Sequence, residues 1–401
     1  MSQFSFHRPE LARSICDSLQ GKGITDARSG LFLAAPRRVG KTTFLREDII
    51  PEATSRGWVT VYVDLWENKK AAPELLLADA IKSEIARHEG VITRLARASR
   101  LDKISVMGTL SLDFSRPGLP ENVTLANALE ILRTLARAPV LVIVDEAQHA
   151  LSSSDGINAM FALKSARDQI NASSEAPDLM LVMTGSNRDK LAHLVINKAQ
   201  PFYGSSVSPF PLLGRPFTDA FAAWANNGLS PDNQFQPDAV FEAFKLVGGR
   251  PQMLRDIMGS VALSGEASNL SALLRQGAQE WQDRVWGEFE NEFDALSPLQ
   301  QAILEVLIRK KKTGFSPFSE ESMAAYKALI KGETLSPASV QTALDSLRER
   351  NLVWREARGA YALEDDGLAE WFLTTRGKTA MDDEQSPQAT TPAISETSNL
   401  P

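Results

Sequence analysis

The stretch that decides the fold is LFLAAPRRVGKTTFLRED, Leu31 to Asp48. Its centre, Ala35-Pro36-Arg37-Arg38-Val39-Gly40-Lys41-Thr42, matches the phosphate-loop pattern G-x-x-x-x-G-K-[ST] everywhere but at its first position, where Ala35 replaces glycine. The context matches too, because an apolar strand precedes the loop and a helical pattern follows it. The chemistry requires these residue types. Successive backbone N–H groups wrap a β-phosphate, and the positive end of the following helix adds to them. Gly40 allows close approach, Lys41 offers a point charge to the β- and γ-phosphates, and the Thr42 hydroxyl is a ligand for Mg²⁺. Ala35 accepts a left-handed backbone less easily than glycine, so the start of the loop is expected to be slightly altered.

Outward from the loop, strand and helix signals alternate. Trp58–Leu65, Val140–Val144 and Leu179–Met183 read as strands, and Leu75–His88, Leu125–Arg137 and Ile157–Ile170 as helices. This alternation predicts an α/β fold with a parallel sheet covered on both faces. Ile104–Phe114 alternates around Gly108 and reads as an inserted hairpin. The strand VLVIV ends in Asp145-Glu146, the pattern of a second phosphate-site element. Asp145 would hold the metal through water and Glu146 would polarise an attacking water; the plain alternative is acids at a helix N-terminus. LMLVMTGSN, Leu179 to Asn187, runs into Thr184, Ser186 and Asn187, which serve either as γ-phosphate sensors or as a helix cap.

Composition removes other classes. The chain has 401 residues, 43 Lys+Arg and 50 Asp+Glu, a formal net charge of −7, which argues against a general basic coat for nucleic acid. One cysteine, Cys16, excludes an internal disulfide or a thiolate zinc cluster, and His7, His88, His149 and His193 show no metal-ligand spacing. The longest strongly apolar run, Val140–Val144, is far too short to cross a bilayer. Arg8, Glu10 and Arg13 stand where a signal peptide needs an apolar stretch, so a cytoplasmic protein with no membrane partner is expected.

After about Pro209 the strand signal fades. Thr218–Asn226, Pro237–Val247, Gln252–Ser264 and Leu270–Phe293 read as helices. Leu299–Lys311 and a helix from Pro337 to Arg350 precede two short strand-like runs, Leu352–Glu356 and Ala360–Leu363, the outline of a winged helix. The expected organisation is an N-terminal segment 1–30, a P-loop core 31–208, a helical lid 209–296, a winged helix 297–376 and a disordered tail 377–401. Residues 297–376 hold 11 Lys/Arg and 11 Asp/Glu, and the helix before the hairpin offers Gln341, Thr342, Asp345 and Arg348 outward. Asp345 would repel a phosphate backbone, so DNA is the less favoured partner.

Together these residues resemble the archaeal-type ATPases of the STAND branch of AAA+-like P-loop proteins. The resemblance covers about residues 6 to 375 and rests on FHRPEL, PRRVGKTTFL, VDEAQ, the Thr184-Gly185-Ser186 segment, PFYG at 201–204, GGRP at 248–251 and RGAYALEDDGLAEWFL. It implies a three-layer P-loop core, a helical lid and a winged helix that packs on the core and reports its state. It also implies that Gly249-Arg250-Pro251 opens a lid helix whose proline approaches the adenine base. The arginine that often follows P-x-Y-G is Ser205 here, leaving Arg188, Arg215 or Arg250 to stand in. Arg37 and Arg38 are either solvated or turned to a neighbouring subunit; Arg250 either senses the γ-phosphate or pairs with an acid on the lid surface. The expected nucleotide site is therefore Pro36, Arg37, Arg38, Val39, Gly40, Lys41, Thr42, Thr43, Thr184, Ser186, Arg250 and Pro251, with Glu146 and Lys41 catalytic and Thr42 and Asp145 at Mg²⁺. The expected activity is Mg²⁺-dependent ATP binding and hydrolysis driving a conformational switch toward a protein partner or self-assembly. The alternative is a DNA-associated AAA+ ATPase assisting transposition, replication or defence.

Overall fold

In the computed structural model of the protein, residues 4–68, 71–98, 118–119, 123–172, 174–263, 269–310, 315–330, 335–357 and 359–377 are described. The inserted hairpin read at 104–114 and nearly all of the expected tail, from residue 378, lie outside the described residues.

Five strands, β1 (Leu31–Ala34), β2 (Val59–Asp64), β3 (Val140–Asp145), β4 (Leu179–Gly185) and β5 (Val207–Pro209), form one parallel sheet in the order β2-β3-β4-β1-β5. Side chains alternate across a strand, so an unbroken apolar run feeds two cores at once. In β3, Val140, Val142 and Val144 enter one core and Leu141 and Ile143 the other. The second core is closed by α1 (Pro9–Leu19) and by the helical run after the phosphate loop: α2 (Lys41–Phe44), a π-helical turn Leu45–Ile49, and α3 (Ile50–Ser55). The first is closed by α4 (Pro73–Ala98), α5 (Leu125–Ala136), α6 (Ser154–Asn171) and α7 (Arg188–Ile196). The result is the expected three-layer α/β architecture.

Beyond the sheet, α8 (Arg215–Asn226), α9 (Pro237–Leu246), α10 (Pro251–Leu263) and α11 (Leu270–Asp294) close around Phe217, Phe221, Phe244, Leu254 and Leu274. The N-terminal segment belongs to this cluster, with the Phe4 ring 5.0 Å from Phe221 and Phe6 5.6 Å from Phe217. The chain ends in α12 (Pro298–Lys310), α13 (Glu320–Leu329), α14 (Pro337–Glu349), an antiparallel hairpin of β6 (Val353–Ala357) and β7 (Ala360–Leu363), and α15 (Asp366–Thr375), around Leu307, Tyr326, Leu344 and Trp371.

Three helices therefore precede the hairpin where the sequence showed two. The overlooked α13 starts with signals of the usual kind: Ser319 accepts from the Ser322 N–H, and Glu320 and Glu321 sit in the first turn. Helices α1 and α15 were also not evident from periodicity.

The C-terminal helices and hairpin dock on the start of α7. Glu364 accepts from the backbone N–H groups of Arg188 and of Asp189, the latter at 3.3 Å. Asp189 in turn accepts from Arg348 Nε at 2.9 Å, Arg348 Nη2 at 3.1 Å and the Arg355 N–H at 3.1 Å. Arg348 thus points into the molecule, not outward as its place on α14 suggested, because Asp189 is within reach of its fork. Burial, partly opposed by the two N–H bonds, pushes the Glu364 carboxyl up from its ordinary 4.5 to about 7. The folded chain thus binds the Glu364 proton more tightly than the unfolded one does. Its stabilising contribution is fully present below about pH 4.5 and is lost as pH rises to about 7. Glu364→Gln should flatten this part of the stability profile, seen in melting temperatures of both proteins across that window; parallel profiles would refute it.

Candidate functional site

The carboxyl ends of β1, β3 and β4 meet because their registers align Ala34 with Gly185 and Val144 with Met183. The phosphate loop leaves β1 at this point. Ala35 still follows the ladder, donating its N–H to Gly185 O at 3.2 Å. The left-handed positions of the loop are Arg38, φ 66°, and Gly40, φ 91°. Ala35 therefore does not need the conformation glycine permits, and the expected alteration at this residue does not occur.

Lys41 begins α2 and is 6% exposed. Its Nζ donates to Ala35 O at 2.7 Å and Pro36 O at 3.0 Å, both carbonyls of the loop itself. Burial lowers the Lys41 pKa, with Glu146 and then Asp145 acting the other way. No carboxylate among the described residues lies within ion-pair distance of it, and the N–H groups of residues 37–40 find no protein acceptor there. A buried cation beside a row of unmatched donors fits a phosphate group.

Asp145, with no exposed surface, ends β3. It accepts from Thr42 Oγ1 at 2.6 Å, from Tyr62 OH at 3.1 Å and from Thr184 Oγ1. Thr42 and Asp145 offer oxygen ligands only, and no group of three or more His, Cys, Asp or Glu that could hold a metal ion occurs among the described residues. Such a sparse oxygen set suits Mg²⁺, which keeps several waters and takes phosphate oxygens as ligands. Thr184, fully buried, spends its hydroxyl on Asp145. Asn187 takes the helix-capping role, accepting from the Lys190 N–H at 2.7 Å.

Glu146 has φ 54°, a left-handed backbone that turns it off the end of β3. Its Oε2 accepts from Ser186 Oγ at 2.6 Å and from Gln148 Nε2 at 2.5 Å. Arg37 reaches Ser186 Oγ with its Nε at 3.4 Å and lies over the Trp66 ring, 4.8 Å from its centre. Arg38 is exposed.

Three cavities adjoin the loop. One of about 220 Å³ is lined by Phe6, Arg8, Gly40, Thr43, Phe217 and Pro251. A larger, open one of about 790 Å³ is lined by Pro36, Arg37, Arg38, Gln148, Ser186 and Arg250, among others. Pro251 lines the smaller of these two and Arg250 the larger. Arg250 pairs with Asp365 at 3.5 Å and lies over Trp281, so its acid partner is the residue capping α15 and not one on the surface of α8 to α11. Arg188 lines a third cavity, of about 320 Å³, beside Ala35 and Pro36. Arg215 lines none of these and instead pairs with Asp219 and Asp238.

Sequence reasoning did not single out Tyr62, Asp64, Gln148, Phe4 or Phe6 at the site. Asp64 lies opposite Asp145 on β2, and burial raises its pKa. Its position at the end of a strand was the available signal. Phe6 and Gln148 stand in the FHRPEL and VDEAQ segments that carry the resemblance, whereas Tyr62 and Phe4 had no signal, since a tyrosine in a strand or a phenylalanine near the start of a chain reads as core.

This combination of a parallel sheet, a phosphate loop after β1 and paired acids at the end of β3, with β4 between the two strands, defines a three-layer P-loop fold followed by a helical C-terminal part. No protein-family model and no curated protein matches the sequence. Among solved structures, the chain is similar to a Walker-type ATPase of Pyrococcus abyssi, with 18% identity, a TM-score of 0.52, and 92% of this chain and 95% of that one covered. It is also similar to the ORC2 protein of Aeropyrum pernix in its ADP form, with 16% identity, a TM-score of 0.55 and 96% of each chain covered. The likeness is one of fold and extends through nearly the whole chain, as the sequence resemblance to archaeal-type P-loop ATPases implied.

Lys41→Ala should leave the fold in place and weaken binding of a fluorescent ATP analogue by roughly tenfold to a hundredfold, the scale of a charge-assisted bond. Unchanged affinity would remove the phosphate role of the loop.

Proposed function

We propose that the chain binds ATP with Mg²⁺ and hydrolyses it to ADP and phosphate, acting as a nucleotide-driven conformational switch. The observation that carries this is the buried Lys41 amine, bonded only to loop carbonyls, within one site with Thr42, Asp145 and Glu146. In this reading the base enters the smaller cavity, against Phe6 and Pro251. The phosphates lie over residues 36–43, where the N–H groups and Lys41 bind them. Bound Mg²⁺ would offset charge on the β- and γ-oxygens. Thr42 and Asp145 hold it, and Tyr62 and Thr184 keep the Asp145 carboxylate in one orientation. Glu146 takes a proton from the water that attacks the γ-phosphorus, while the bond to the β-phosphate oxygen breaks. Glu146→Gln should retain ATP binding and lose turnover by roughly 10²–10⁴. Phosphate release at the wild-type rate would exclude Glu146.

The switch reading is supported by the short path from site to C-terminal part. Ser186 touches Glu146, and the next three residues, Asn187, Arg188 and Asp189, bond Asn351, Glu364 and Arg348. In this reading α12 to α15 with the hairpin form a winged helix held against the core, and its release or capture by nucleotide presents a surface to a protein partner or a second copy. The engagement of Arg348 with Asp189 favours this over DNA reading by α14. A ligand shifts such an equilibrium only by its differential affinity for the two states. Amide exchange across residues 335–357 should differ between ATP and ADP, and Arg250→Ala should reduce the difference. Identical exchange with both nucleotides would sink the switch; an unaltered difference in the variant would move the sensing role from Arg250 to Arg188.

A further inference from the structure

Gln148 is 5% exposed, on a short 3₁₀ turn, Ala147–Ser152, directly after Glu146. It is uncharged and lies behind the acids that carry the proposed chemistry. Yet its amide donates to Glu146 Oε2 at 2.5 Å and stands 3.3 Å from Ser186 Oγ. The Ser186 hydroxyl and backbone N–H supply two further donors to the same oxygen, at 2.6 and 3.3 Å. One carboxylate oxygen thus takes three donors, and no side chain among the described residues donates to Oε1. The place of Gln148 is itself defended. A Cβ added at Gly185 would lie 2.6 Å from Gln148 Oε1, so a side chain at 185 would displace the amide. Gln148 Oε1 is buried without a partner, a cost kept in the fold although the opposite end of the amide holds Glu146.

We propose that Gln148 is a positioning residue: with Ser186 it fixes Glu146 through Oε2 and leaves Oε1 as the oxygen that accepts the proton from water. This rests on the reading of Glu146 as general base. A carboxylate on a left-handed residue at a strand end has rotamers that point elsewhere, and a base misplaced by about 1 Å loses on the order of a hundredfold in rate. Fixing the side chain in advance removes that loss. Because Arg37 also reaches Ser186, the same serine joins the base to the phosphate loop.

The test is steady-state ATP turnover and binding of a fluorescent ATP analogue by the full chain. Gln148→Met, which keeps the volume and removes the donor, should lower kcat by roughly tenfold to a hundredfold with analogue affinity and melting temperature unchanged. Gln148→Ala serves if the Met variant does not fold. Added to Glu146→Gln, the same substitution should cost nothing further, because residues acting as a unit are not additive. Wild-type kcat in Gln148→Met, or a raised kcat showing that Gln148 restrains the base, would overturn the proposal while Glu146→Gln remains inactive. A parallel fall in affinity and melting temperature would make Gln148 merely structural. If Glu146→Gln turns over normally, the underlying reading of the base fails instead.

Discussion

A carboxylate with no solvent contact needs donors that the fold itself supplies, and Asp145 meets that need with hydroxyls from three separate elements. Thr42 comes from the helix after the phosphate loop, Tyr62 from β2 and Thr184 from β4. An unpaired charge there would cost several kcal/mol. The bonds therefore fix the helix after the loop and strands β2, β3 and β4 against one another. Sheet register sets where they meet, since Asp64 pairs with Asp145 across β2 and β3 while Val144 pairs with Met183 one step from Thr184.

Around that centre the molecule divides the proposed nucleotide site between parts far apart in sequence. The smaller cavity needs Phe4 and Phe6, Gly40 and Thr43, and Phe217 and Pro251. Arg8 links them: its guanidinium lies 4.4 Å from the Phe44 ring centre and 4.7 Å from that of Phe210, while its backbone N–H donates to the buried Asp48 at 2.9 Å. Burial lowers the Arg8 pKa, with Asp48 opposing, so this cation is held by ring faces and a nearby acid more than by water.

The second edge of the site is polar. Two residues stand between Gly185 and α7, and these and the first residue of the helix each have their own bond: Ser186 to Glu146, Asn187 to Asn351, Arg188 to Glu364. The N-terminus of α7 carries a partial positive charge and free N–H groups, which explains why an acid from the hairpin docks there. That acid is half-buried and easily protonated, and the adjoining Asp189–Arg348 pair supplies the charged part of the contact.

The sequence by itself determined the phosphate loop, the acid pair after β3, and the α/β layering. Each depends on neighbours in the chain: a loop's N–H groups are its own, and an unbroken apolar run such as Val140–Val144 can only be buried on both faces. Helices α8 to α11 were legible for the same reason, because helical periodicity is local. Short elements were not: α13 and α15 span 10 residues each, and their stability comes from packing around Tyr326 and Trp371. Only the tertiary structure decided which polar residue serves which. Thr184 turned to Asp145, Ser186 and Gln148 to Glu146, Arg250 to Asp365, and Arg348 to Asp189. Those partners lie 2 to 159 positions apart in sequence, and 115 separate Arg250 from Asp365. A side chain's partner is set by which strand ends and helix starts converge in space, and no spacing along the chain encodes that.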